Sequence, residues 1–250
     1  MLRNLCSWYA IRDICFFDDN FFLNRRRALE IFEIMIRESP DLGWSSFAHV
    51  RSVDPDLLCI AKRAGCWQIG FGIESGNQEI LDRLGKDIHI NEIRQAINYT
   101  KQAGIRSRGF FMIGNPGETV ATIKETIDFA LSLPLDDFQI TNYTPFPGSK
   151  DYRTAVQFGR FDKNWGKLNM LKICFIPYNL TAETISKCQR KAYLRFYLRS
   201  PIIFAYLKMC ISAPGNLLKI WRGGFSLTRL ALGNVRDYFF KPTSRKRFLQ

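Results

Sequence analysis

The sequence predicts an α/β fold built on a parallel sheet, and three observations carry that reading. The stretch Gly109–Thr119, GFFMIGNPGET, runs a hydrophobic segment straight into Gly114-Asn115-Pro116-Gly117, after which Glu118-Thr119 opens an amphipathic segment. A near-continuous apolar run without alternation is the mark of a strand covered on both faces, as parallel strands are. The same strand, turn and helix grammar recurs five times before about Lys150. Finally, 250 residues of which 46% are hydrophobic, with 21 Phe, suffice for one sizeable core and an appendage.

In chain order, Ile11–Phe17 (IRDICFF) reads as a strand ending in Asp18-Asp19-Asn20, and Arg25–Glu38 as a helix with Leu29, Phe32 and Ile36 at helical spacing. Trp44–Val50 is a short strand. It is followed by a helix from Asp54 or Pro55 to Ala64, with Gly65 beyond its end. Trp67–Ile73 (WQIGFGI) is a third strand, ending in Glu74-Ser75-Gly76, and helices are expected near Gln78–Leu84 and Asn91–Ala103, the latter stopped by Gly104. Strand Ile105–Ile113, helix Val120–Leu131 and strand Phe138–Tyr143 complete the series, which leaves the sheet at Thr144-Pro145-Phe146-Pro147-Gly148. Strands alternating with helices at this spacing are βα units, and ligands of such sheets sit at the C-terminal ends of the strands.

Charge divides the chain. Residues 186–250 carry 14 Lys or Arg and one acid, Asp237, whereas residues 1–185 hold 22 basic and 22 acidic residues, so the net charge of +13 belongs to the tail. Tyr193, Phe196, Tyr197, Phe204, Tyr206 and Trp221 lie among those basic residues. Three readings stand in order: a solvated helical face whose aromatics pack inward, a surface that sits on anionic lipid, and, last, a nucleic-acid contact, for which no recognised motif is present. No stretch reaches the 18 or so uncharged apolar residues of a membrane span, and no secretory leader pattern is seen, so a cytoplasmic chain, membrane-peripheral at most, is expected.

The seven cysteines, Cys6, Cys15, Cys59, Cys66, Cys174, Cys188 and Cys210, contain no C-x2-C pair, and only His49 and His89 are available beside them. Disulfides and a structural zinc site are therefore not expected. Gly70-x-Gly72 suggests a dinucleotide fingerprint, but the pattern continues as x-x-S-G and lies inside the strand, not on its turn.

With the strand ends laid out, the chain resembles the radical S-adenosylmethionine (radical SAM) superfamily, in particular the branch whose members often carry a cobalamin-binding domain. The matching pieces are FFDDNF at 16–21, Arg51–Asp54, AGCWQIGFGIESG at 64–76, IL-x-x-L-x-K at 80–86, GIRSRGFFMIGNPGET at 104–119, TIDFA at 126–130 and TPFPGSKDY at 144–152. Tyr193–Pro201 also looks like the basic helical tail of these proteins. Each piece alone is weak; the ordered set over some 140 residues is specific.

The resemblance implies a partial (β/α) TIM-like barrel over residues 1–165, followed by a mainly helical basic extension over 166–250. It also implies S-adenosylmethionine (SAM) bound across the strand ends, a [4Fe-4S] cluster that reduces SAM to a radical, and cobalamin in members that transfer methyl groups. Carried over position by position, Asp18 and Asp19 fall where the family accepts the methionine ammonium. Glu74 and Ser75 fall where it contacts the ribose and the SAM carboxylate region. Gly114, Asn115 and Pro116 match the adenine-side loop, Tyr143 and Thr144 offer backbone groups to the adenine edge, and Arg51 and Lys86 are candidates for the SAM carboxylate or for substrate. Taken singly, Asp18-Asp19-Asn20 is also a helix cap, Glu74-Ser75-Gly76 an ordinary turn and Gly114–Gly117 an ordinary loop.

The family holds its cluster with C-x3-C-x2-C after the first barrel strand, and this sequence has no such triplet. Residues 1–10 match the end of the helix after that loop, so the chain reads as the C-terminal part of a radical SAM protein, missing the first strand. Ile11–Phe17 would then be an edge strand bearing ICFF, prone to aggregate unless covered. The expectation is poor solubility alone, or pairing with a separately encoded N-terminal half. The alternatives are a non-catalytic remnant or nucleoside-binding pseudoenzyme, and a peripheral membrane protein working through its basic tail.

Overall fold

The computed structural model describes residues 8–38 and 41–212. Five strands, β1 (Asp13–Cys15), β2 (Gly43–Ala48), β3 (Cys66–Glu74), β4 (Arg106–Ile113) and β5 (Asp137–Asn142), lie side by side in chain order, every neighbouring pair parallel. They form a curled half-barrel. Between them run α1 (Arg25–Glu38), α2 (Pro55–Arg63), α3 (Gln78–Arg83), α4 (Ile90–Gln102) and α5 (Val120–Ser132). The α/β reading and its five units hold. Because the strands are parallel and in sequential order, all five C-terminal ends open on the same edge.

Local chemistry sets the element ends. Asp54 accepts a hydrogen bond from Leu57 N and caps α2, with Pro55 at the first helical position. Asn77 caps α3 through Ile80 N, and Thr119 caps α5 through Thr122 N. Two expected bounds moved. The strand read over Ile11–Phe17 is regular only over Asp13–Cys15, although Phe16 N still donates to Ser45 O at 2.9 Å. Val50, read as the end of β2, starts a 3-10 turn (Val50–Ser52), because the His49 side chain accepts from Arg51 N and bends the chain there.

One face of the sheet meets the helices. Trp44, Ile69, Phe71, Ile73, Phe111, Ile113, Phe138 and Ile140 are buried on it. The Trp44 indole donates to Ala64 O at 2.8 Å and packs within 6.3 Å of the rings of Phe21, Phe22 and Phe32. Burying each such ring contributes about 2–3 kcal/mol, so this cluster anchors β2 to α1. The opposite, concave face alternates with it. Phe47, Arg108, Phe110, Met112 and Gln139 are only half-buried. The GFFMI run of β4, expected to be covered on both sides, is thus fully buried on one side only. β1 pairs with β2 alone among the described residues, as expected of an edge strand.

After β5 come α6 (Lys150–Thr154) and an antiparallel ribbon of β6 (Gly159–Phe161) and β7 (Phe175–Pro177). The ribbon has no counterpart in the sequence reading, because three-residue strands leave no periodicity. Tyr143, Ala155, Cys174 and Phe175 form its small core. The chain divides into two compact units, up to Ile185 and from Ser186. The described part of the second holds most of α7 (Ala182–Tyr197) and α8 (Ser200–Ser212). No described helix is long and apolar enough to cross a membrane.

Candidate functional site

The residues that leave the strands at their C-terminal ends form one rim. After β1, Asp18 and Asp19 are exposed, and Asp18 makes only a loose, exposed pair with Arg27 of α1 at 3.7 Å. Asn20 ties this loop to the next strand end: its Oδ1 accepts from His49 N at 3.3 Å and its amide donates to Ser52 Oγ at 2.8 Å. The helix-cap reading of Asp18-Asp19-Asn20 does not hold, because Asn24 takes that role through Arg27 N. An open cleft of about 560 Å³, lined by Asn20, Arg25, His49, Arg51, Ser52 and Asp54 among others, separates the first two strand ends.

Arg51 is engaged twice. Its guanidinium grips Glu92 with two bonds, 2.7 and 3.0 Å, and reaches Asp87 at 3.0 Å. That grip, with the His89 backbone amide, holds the Glu92 carboxyl down to about 2. His49 sits between cations: burial first, then Lys86 and Arg51, hold its imidazole below the ordinary histidine value. It was not singled out in the sequence, where an isolated histidine carries no spacing signal.

At the end of β3 the register slips between Gly72 and Glu74, and Glu74 adopts φ +67°, the left-handed region that disfavours any residue but glycine. Its carboxylate meets Lys86 Nζ at 2.9 Å, so these two candidates are brought together. A side chain at Gly72 would stand 3.2 Å from Glu74 Oε1 and 3.5 Å from Lys86 Nζ, leaving bare backbone beside the pair. Ser75 goes elsewhere. It is fully buried, its hydroxyl 3.0 Å from Thr126 Oγ1 and accepting from Asn77 N, so its side chain ties α5 to the turn.

The loop after β4 is organised by a residue that the sequence reading passed over as the start of a helical segment. Glu118 is fully buried, and its Oε2 accepts from Gly114 N at 2.5 Å, Asn115 N at 2.9 Å and Asn115 Nδ2 at 3.4 Å. Gly114 and Gly117, at φ +79° and +75°, let the chain wrap around that carboxyl. Burial pushes Glu118 up to about 7 against the pull of those N–H groups. Pro116 holds the half-buried tip of the loop. After β5, Tyr143 and Thr144 turn inward. Tyr143 N donates to Ile113 O at 2.8 Å and its hydroxyl to Asp151 at 2.7 Å, and Thr144 Oγ1 donates to Asn142 O. The Tyr143 amide is therefore spent in the sheet, leaving its carbonyl as the group to offer a ligand.

The rim suits a zwitterionic nucleoside. Carboxylates at Asp18, Asp19 and Glu74 match an ammonium or sulfonium, while Arg51 and Lys86 match a carboxylate. Three buried polar atoms without a partner, Asn115 Oδ1, Glu118 Oε1 and Asn142 Oδ1, lie at the ends of β4 and β5, where a ligand's donors would satisfy them. Nothing among the described residues fits an iron–sulfur cluster. Among the described residues Cys15 and Cys59 are exposed, Cys66 and Cys174 buried and Cys188 between, and no three His, Cys, Asp or Glu side chains gather. Burial also pushes the Cys66 and Cys174 thiols up, away from the thiolate that a cluster needs.

Comparison with known proteins decides the family. The family model described as "Radical SAM superfamily" matches residues 1–130, just over half of the chain. The chain belongs to the radical SAM superfamily. An uncharacterized methyltransferase of Pyrococcus horikoshii is 35% identical over 196 residues, covering 78% of this chain and 43% of that protein. The anaerobic magnesium-protoporphyrin IX monomethyl ester cyclase of Cereibacter sphaeroides is 29% identical over 208 residues, covering 80% of this chain and 33% of that protein. The radical SAM methyltransferase TsrM of Kitasatospora setae, solved with cobalamin and a [4Fe-4S] cluster bound, shares the fold at TM-score 0.55 and 19% identity, over 76% of this chain and 39% of that one. The chain thus spans less than half the length of these relatives.

Proposed function

We propose that this chain forms the SAM-binding part of a radical SAM enzyme that carries out radical or methyl-transfer chemistry, the cluster being held by a polypeptide segment outside these 250 residues. The observation that carries the proposal is the sheet order. Five parallel strands in sequence place Asp18–Asp19, Arg51, Glu74 with Lys86, Gly114–Pro116 and Tyr143–Thr144 on one edge. SAM supplies a sulfonium whose carbon–sulfur bonds are activated for radical formation or methyl donation.

The chain's own residues bind and orient. Asp18 and Asp19 take the ammonium, and Glu74 takes the ribose hydroxyls and passes its pairing with Lys86 to the ligand. Lys86 and Arg51 compete for the carboxylate, Arg51 at the cost of its contact to Asp87. The loop stiffened by Glu118 presents Gly114–Pro116 as a flat wall for the adenine, and the Tyr143 carbonyl accepts from the adenine amino group. The cluster segment belongs beside the edge of β1 that has no strand neighbour among the described residues, where Cys15 and Phe17 are exposed. We assign cobalamin, bound in the TsrM structure, to the same segment outside these 250 residues.

The scattered cysteines support a second reading, in which the chain binds a nucleoside without turnover. Co-expression with an N-terminal segment carrying C-x3-C-x2-C, followed by iron–sulfide reconstitution, separates the two. The first reading expects a stable complex that cleaves SAM to 5′-deoxyadenosine or transfers its methyl group. A complex that binds SAM and never consumes it favours the second.

A further inference from the structure

We infer that the second unit of this chain, through helices α7 and α8, docks onto an anionic lipid surface. The argument starts from charge. Between Ser186 and Ser212 there are six cations, Lys187, Arg190, Lys191, Arg195, Arg199 and Lys208, and no acid. Lys187, Lys191 and Arg195 are spaced four apart on α7, so they share one helical face, and all three are exposed. Glu183, in the first turn of α7 and four residues before Lys187, is the one acid on these two helices, so six cations over the helices and the turn between them stand against a single carboxylate.

The next helix supplies what a polyanion alone would not need. On α8, Ile203, Phe204, Leu207 and Ile211 fall within about 100° of the helix circumference. Their exposures are 41%, 67%, 52% and 82%, whereas Ile202, on the other side, is 4% exposed. Leu198, between the helices, is 64% exposed. Helices with a cationic face and bulky apolar residues held in water lie in the headgroup plane of a bilayer, apolar side down. Each cation near an anionic leaflet adds attraction that salt screens, and lysine and arginine stems let their heads reach the phosphates. Nucleic acid would use the cations and leave the apolar face wet. A second copy of the chain would bring the same positive charge against itself. Charge and apolar exposure together therefore favour lipid over both.

Flotation of the full 250-residue chain with vesicles tests this, using phosphatidylcholine alone and phosphatidylcholine with 30% phosphatidylglycerol as the two arms. The expected result is binding to the anionic vesicles at least tenfold stronger than to the neutral ones, weakened by 0.5 M salt. Phe204→Glu with Ile211→Glu, and separately Lys187→Glu with Lys191→Glu, should each lower it at least tenfold. Circular dichroism should show the helix content of both variants unchanged, since all four side chains are exposed. Equal binding to both vesicles, or anionic binding indifferent to Phe204→Glu with Ile211→Glu, overturns the proposal. So does binding to duplex DNA without vesicle binding, or a dimer that these glutamates dissociate while flotation is unchanged.

Discussion

Lys86 Nζ lies 2.9 Å from Glu74 Oε1, and the residue that offers this carboxylate stands in a left-handed backbone conformation at the end of β3. The pair is a fifth to a third exposed, so it contributes about 1 kcal/mol at most. Left-handed backbone at a non-glycine residue costs roughly 1–2 kcal/mol. Stability alone gives no reason for a glutamate there. Glu74→Gly should therefore leave the thermal midpoint within ~3 °C of the parent, while titration calorimetry should show SAM affinity lowered at least tenfold. A midpoint loss above ~8 °C with unchanged SAM affinity would make Glu74 a structural residue.

Glu118 provides a pH signature. Its carboxyl is pushed up to about 7 in the folded chain, above the ordinary glutamate value of 4.5. A raised folded value means that the group's contribution is fully present below about pH 4.5 and is lost as pH rises through 7. Between pH 5 and pH 8.5 the parent should lose more stability than Glu118→Gln, by up to ~3 kcal/mol. Denaturant melts at several pH values measure the difference. Glu118→Ala, which strands the Gly114 and Asn115 amides, should cost about 1–3 kcal/mol for each amide left without an acceptor.

Arg51 gives the opposite slope. It holds the Glu92 carboxyl down to about 2, so the stabilisation exists above the ordinary value near 4.5 and fades as pH falls through 2. Arg51→Met should lower the thermal midpoint by about 1–4 °C at pH 7, with the gap to the parent closing on acidification. An NMR titration of the Glu92 side chain should show its pKa rising towards the ordinary range in the variant.

Gly70 tests the concave face. A Cβ there would stand 2.7 Å from a Phe110 ring carbon and 2.9 Å from one of Phe47, rings whose centroids are 5.7 Å apart. Gly70→Ala should cost about 1–3 kcal/mol by denaturant melt. Pairing it with Phe110→Leu should restore part of the loss, because the clash is with a ring and not with backbone.

The elements were legible where apolar period and turn residues agreed. Arg25–Glu38 matches its helix to the residue, and β3 and β4 fall within a residue or two of their expected bounds. The ordered motifs gave the family because most of them sit at strand ends, with IL-x-x-L-x-K starting on α3 and TIDFA inside α5. What escaped was set by tertiary partners. Nothing local announces that Ser75 bonds to Thr126 fifty-one positions away, or that Glu118 turns back under its own loop instead of facing solvent. Asn20 looked like a helix cap and proved to be a bridge to His49 and Ser52, since the true cap lay four residues on at Asn24. The ribbon of β6 and β7 was too short to leave a pattern.

The shared strand-end rim is tested most directly by hydrogen exchange of the 250-residue chain with and without SAM, read peptide by peptide. Protection is expected together at 16–20, 49–52, 72–77, 113–118 and 142–145, and to be lost in Glu74→Gly. Protection confined to the opposite strand ends, at 43–45, 66–68 and 106–108, would contradict it.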